Sequence, residues 1–194
     1  MLRALLSILL LSSFAAAQSN ADHQKYDQAL REIEAHRFTK AEKLLNAVIA
    51  SAPNWPLAYV TMGRLYYLWP KPAVAITAYE QARDLDLKDH SLTPDERHEV
   101  NDQLGVLYGL GKQFDKSIAV LEAAIKDDPN YGEYEYNLAC DYSEKGDLNK
   151  ALTHLHRAYD LRSTFKFPDP RQDDSFKPWL DNDKFKEAVS NMMN

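Results

Sequence analysis

An all-α fold of paired helices is predicted by three observations. The chain repeats itself at an offset of 34 residues. Within each copy the apolar residues recur at intervals of three and four, the helical period. Each copy also breaks in its middle, at residues that end helices.

The offset is carried by specific pairs. Leu104-Gly105 falls on Leu138-Ala139, Tyr108 on Tyr142, Ser117 on Ala151, Leu121 on Leu155 and Ala124 on Ala158. Met62-Gly63, Tyr66, Ala75, Tyr79 and Ala82 keep the same internal intervals. A weaker first copy has Ala29, Ala41, Leu45 and Val48 and ends at Pro53. The breaks fall at His36-Arg37, Trp69-Pro70-Lys71-Pro72, Gly111-Lys112-Gln113 and Lys145-Gly146-Asp147. Small residues stand where the two helices of a copy should cross: Gly63, Gly105 and Ala139 on the first helix, Ala75, Ser117 and Ala151 on the second. A side chain of that size lets two helix axes approach, and neighbouring Leu and Tyr fill the grooves.

Taken in order, the chain opens with MLRALLSILLLSSFAAAQ. A basic Arg3, an apolar run from Ala4 to Leu11 and the small residues Ala15 to Ala17 follow the plan of a secretory signal peptide. Residues 1–17 are therefore expected to be removed after Ala17, leaving a periplasmic or secreted protein; the alternative is an uncleaved anchor, the one expected membrane contact. Copies of the repeat then occupy 22–55, with a divergent first helix, and 56–89. Residues 90–97, HSLTPDER, are an insertion that extends the next helix. In it Thr93-Pro94-Asp95-Glu96 reads as a capping box with Pro at the first helical position. Further copies occupy 98–131 and 132–165. The tail, 166–194, starts as a Pro-rich acidic loop and ends in a helix over 183–192, with Phe185, Ala188, Val189 and Met192 on one face. An array must cover its last apolar face, so this helix, with Phe176, Trp179 and Leu180, is expected to cap the final copy.

The repeat resembles the tetratricopeptide repeat. LGVLY and LACDY carry the first half of that family's pattern, SIAVLEAA and ALTHLHRA the second, and MGRLY with AITAYEQA is a good third match. Lys25, Tyr59, Asn101 and Glu135 stand where the pattern has Trp. The resemblance implies a right-handed α–α superhelix, a solenoid of four helix-turn-helix repeats. It also implies a concave face, lined by first helices, that receives a peptide or helix of a protein partner. Mapped onto this chain, that face presents Tyr26, Arg64, Tyr67, Gln103, Val106, Tyr136, Asn137 and Cys140, together with Leu30, Ile33 and Val60. A subset of the family clamps a C-terminal carboxylate with Lys and Asn. Tyr26, Leu30, Thr61, Glu99 and Gln103 occupy those places here, so no clamp is expected. An aromatic and apolar groove with the single cation Arg64 suggests an uncharged or weakly acidic peptide, or another helix.

Chemistry is not expected. Cys140, the only cysteine, has Asp141, Glu144 and Asp147 for local neighbours, a setting that disfavours thiolate. His154 and His156 lie about 200° apart around a helix and cannot share one ion. His98-Glu99 lacks the second His of a zinc motif, and Asp141 to Leu152 lacks the oxygen ligands of a calcium loop. No catalytic residue, metal or cofactor follows. A net charge of −6 argues against nucleic acid as partner. The leading expectation is an exported protein-interaction adaptor. The alternative is a structural subunit of a cell-envelope complex, or a homo-oligomer, that uses the tail.

Overall fold

In the computed structural model, which describes residues 19–163 and 165–193, the chain is helical and turns back on itself at each predicted break. The proposed signal segment, 1–17, lies outside the described residues. The chain divides into two compact units, residues 1–96 and 97–194.

Unit 1 holds α1 (helical through residues 19–34), α2 (Phe38–Ser51), α3 (Pro56–Leu68) and α4 (Pro72–Asp89). Pro56 and Pro72 each occupy the first turn of their helix, where a missing N–H costs nothing. The close approach expected between paired helices is realised at Gly63: a methyl group there would lie 2.8 Å from the Tyr79 ring. Ala41, Leu45, Val48, Leu65, Ala75 and Ala82 complete the core. The divergent α1 departs from the repeat pattern at Glu32, which is nevertheless buried. Its carboxylate is answered by Arg37 and by Lys40 at 2.7 Å. These two hydrogen-bonded cations hold its pKa down at about 2. Buried charge is tolerated when it is paired in this way. The unit closes at His90, whose left-handed backbone (φ 52°) ends α4. Asp86 then accepts from the Leu92 amide at 2.7 Å.

The insertion shapes the next helix, α5 (Pro94–Leu110). Thr93 Oγ1 accepts from the Glu96 amide at 3.3 Å, and the Glu96 carboxylate accepts from the Thr93 amide at 2.7 Å. Two amides at the helix start are thereby satisfied reciprocally.

Unit 2 continues with α6 (Phe114–Asp127), α7 (Gly132–Glu144) and α8 (Leu148–Asp160). Gly105 is the close-approach residue, its position lying 2.9 Å from Leu121 once a methyl is placed on it. Its carbonyl accepts from Ser117 Oγ at 2.9 Å. At the turns, Lys112 and Gly146 take positive φ, 54° and 81°. The flexible glycine of the third break, Gly111, is thus one residue off. The left-handed position is filled by a lysine there, and by His36 (φ 54°) in the first copy.

The tail is folded. Short 3-10 turns at Pro170–Gln172 and Asp174–Trp179 precede α9 (Asp183–Met193). Phe176 is fully buried and joins Phe185, Val189 and Met192 in one core with Tyr136, Leu138 and Leu155. Trp179 is half-buried, its Nε1–H donating to Ser143 Oγ at 2.9 Å, and Ser143 Oγ donates to the Ser175 carbonyl at 2.6 Å. Leu180, expected to pack with them, is 37% exposed.

Candidate functional site

The eight residues mapped to the recognition face meet different fates. In unit 1, Tyr26 is buried: its hydroxyl pairs with Thr61 Oγ1 at 2.8 Å and its ring leans on Trp55 at 4.9 Å. Ile33 and Val60 are buried as well. These are packing residues: Tyr26 and Ile33 lie on the inward stripe of α1, and Val60 is buried on α3. Arg64 is half-buried and already engaged, while Tyr67 is 45% exposed beside exposed Leu68.

In unit 2 the decisive element is the tail. Tyr136, expected to face a partner, is buried beneath it. The Tyr136 hydroxyl donates to Asp173 Oδ2 at 2.9 Å, and its ring meets Phe167 and Phe176 edge-on at 5.8 and 6.2 Å. Burial above all pushes its pKa up, with the Asp173 carboxylate adding to the rise. Cys140 is half-buried, its Sγ 3.9 Å from Asp173 Oδ2. Burial first, and Asp173 second, raise the thiol well above its ordinary range. A thiol held neutral by carboxylates is a poor nucleophile, so its surroundings oppose covalent chemistry.

Val106, Asn137 and Cys140 are brought together. They line one pocket of about 340 Å³ on the faces of α5 and α7, with Gly105, Gly109, Leu110, Lys112, Phe114, Asp141, Glu144 and Ser175. Gln103 is not part of its lining; it is half-buried, with Oε1 enclosed and unpartnered.

Two acids that the sequence reading did not select carry the electrostatics. Asp102, on α5, accepts from Tyr131 Oη at 2.8 Å and from Asn137 Nδ2 at 3.2 Å. Burial still lifts its pKa to about 7, with the nearby Glu133 adding to the rise. Asp141, on α7, is 4% exposed and lines the pocket. Burial raises it to about 6, against the pull of Ser117 and Lys145. A signal for both existed: at the 34-residue offset Asp141 falls on Leu107 and Asp102 on Tyr136, so an acid occupies a position that is apolar or aromatic in the paired copy.

Comparison with known proteins agrees with this architecture. A tetratricopeptide-repeat family model matches residues 98–131. No curated protein sequence matches the chain. Among solved structures, a MamA fragment from Desulfovibrio magneticus RS-1 is 18% identical with a TM-score of 0.70, covering 89% of this chain and 93% of that one. Another MamA crystal structure is 16% identical with a TM-score of 0.71, covering 90% and 89%. PilF of Pseudomonas aeruginosa is 13% identical with a TM-score of 0.66, covering 91% and 75%.

Proposed function

We propose, from the premise that this chain is a tetratricopeptide-repeat protein, that it is an exported scaffold which holds a peptide or helix of a protein partner. The observation that carries this reading is the pocket on α5 and α7: three residues selected by family register, Val106, Asn137 and Cys140, line one concavity. The apolar and polar groups there suit a few anchoring side chains, and such anchors dominate binding energy. Burial of Tyr26 and Tyr136 removes them from the recognition surface. In unit 2, Val106, Asn137 and Cys140 remain around the pocket; in unit 1, Tyr67 remains exposed.

Docking of the tail within its own chain favours the adaptor over the structural-subunit reading. Its large side chains, Phe176 and Phe185, are buried inside unit 2 and are not available to grip a neighbouring copy.

A photo-crosslinking residue placed at Val106, in intact cells, should yield a discrete adduct with a partner polypeptide. Val106→Arg should abolish that partner's co-purification, and Tyr67→Ala should reduce it. The melting temperature should stay within about 2 °C of the parent, since Tyr67 is exposed and Val106 lines the pocket outside the buried core. Unchanged co-purification in both variants would remove the binding face from consideration. Export has its own test: mass spectrometry of the protein recovered from cells should find an N-terminus at Gln18. An intact Met1 in the cytoplasm would sink that part of the reading.

A further inference from the structure

The pocket on α5 and α7 has one feature that a general peptide groove does not require. Asp141 is 96% removed from solvent, lines the cavity, and has an enclosed Oδ2 with no hydrogen-bond partner. Leaving a charged oxygen buried and unanswered is costly. Gly109 stands against it, and a methyl group there would lie 3.1 Å from Asp141 Oδ1. Glu144, exposed, adds a second carboxylate at the lining. The last turns of α5 and α7 also end here, at Leu110 and Glu144, and helix C-termini favour cations.

The competing positive charges are few. Lys112 is the one cation among the lining residues, and it is exposed on the turn. Lys145 is ion-paired with Asp115. The first residue of α6, Phe114, also lines the pocket, and its helix N-terminus opposes the two C-termini in part. Beside the carboxylates the lining includes the apolar side chains of Val106, Leu110 and Phe114, with Asn137 and Ser175 as neutral polar neighbours. Carboxylates that favour a cation, set among apolar side chains that favour methylenes, suit one kind of side chain. The volume is at the small end for ligand sites, which run from about 300 to 1,000 Å³, and suits a side chain better than a whole metabolite.

We infer that this pocket is the anchoring subsite for an arginine or lysine side chain of the partner, with Asp141 and Glu144 receiving its charged head. This rests on the scaffold reading and narrows it: the expectation of an uncharged or weakly acidic peptide, drawn from Arg64, does not fit unit 2. Ser117 and Lys145 ease the Asp141 charge only in part, and a cation in the pocket adds a partner for a carboxylate that burial leaves poorly solvated.

The probe is N-acetyl-arginine methylamide, titrated into the ¹⁵N-labelled protein, with N-acetyl-norleucine methylamide as the uncharged chain of similar length. The amide signals of Gly105 and Gly109 and the side-chain amide of Asn137 should shift saturably with the arginine probe. The norleucine probe should bind about tenfold or more weakly, the worth of a charge-assisted hydrogen bond. Asp141→Asn should weaken the arginine probe by about tenfold. Glu144→Gln, at an exposed position that leaves folding intact, should weaken it by roughly two- to threefold. Equal binding of the two probes, or an unchanged arginine titration in Asp141→Asn, overturns the assignment. If Asp141→Asn loses its dispersed spectrum, the probe comparison and Glu144→Gln decide alone. The two levels separate cleanly: partner capture that depends on Val106 without arginine binding rejects the subsite only. Arginine binding without any Val106-dependent capture rejects the scaffold.

Discussion

Phe176→Ala should destabilise unit 2 by roughly 3–5 kcal/mol, the range for removing a fully buried aromatic side chain. Phe176 has no exposed surface, stacks on Phe185 at 5.7 Å and meets Tyr136 at 6.2 Å. It is the pin that fastens a segment with little regular structure to α7. The remaining anchors, the Tyr136–Asp173, Ser143–Ser175 and Trp179–Ser143 hydrogen bonds, are each worth about 1 kcal/mol net and cannot hold it alone. Two readouts are expected together. The urea midpoint of the transition reported by Trp179 fluorescence should fall. Maleimide labelling of Cys140 should accelerate, because that thiol rests against Asp173 of the same segment. A loss below about 1 kcal/mol, with unchanged labelling, would mean that the tail is held by something other than Phe176.

The dependence of Cys140 on the tail also explains what could and could not be read from the sequence. Helix pairing was legible because it is local: Gly63 meets Tyr79 and Gly105 meets Leu121, both within one copy and at the same spacing. The capping box of Thr93 and Glu96 and the final helix were legible for the same reason. The accessible surface was not. Family register placed Tyr136 and Cys140 on a recognition face without regard to a tail more than thirty residues away. Phe176 is expected over the final copy and packs there, but which side chains of α7 the tail covers depends on tertiary packing, in a Pro-flanked acidic stretch with no period of its own. In α1 the error was similar. Tyr26 and Ile33 lie on an inward stripe, because the divergent helix keeps its apolar side chains for packing. In the sequence Asp141 is an acid beside a cysteine and the first residue of a failed calcium-loop match. Its importance comes from being enclosed, a property of the fold.

Asp102→Asn should make unit 2 more stable at pH 8 than the parent, on the order of 2 kcal/mol. The sign follows from burial. The folded-state pKa of Asp102 stands at about 7, above the ordinary value of 3.8. Between those values the native state keeps a proton that the unfolded chain has released, so stability falls as pH rises from about 4 to about 7. Below that window the group is neutral in both states; above it the full cost of a buried carboxylate is present. Three pKa units set an upper bound near 4 kcal/mol, and partial exposure of the residue with solvent screening brings the expectation to about half. Asparagine reproduces the protonated acid. Its oxygen can accept from Asn137 Nδ2, and its amide can donate to Tyr131 Oη, the two partners Asp102 has now. Glu133 and Asp141 are also raised by burial and titrate with the same sign. The difference between parent and variant is therefore the quantity to follow, by urea unfolding at pH 5, 6, 7 and 8. It should be small at pH 5 and widen to pH 8. A parent protein whose stability advantage over Asp102→Asn grows with pH would show that the carboxylate stabilises the fold as an ion. In that case Tyr131 and Asn137, rather than burial, would govern the site.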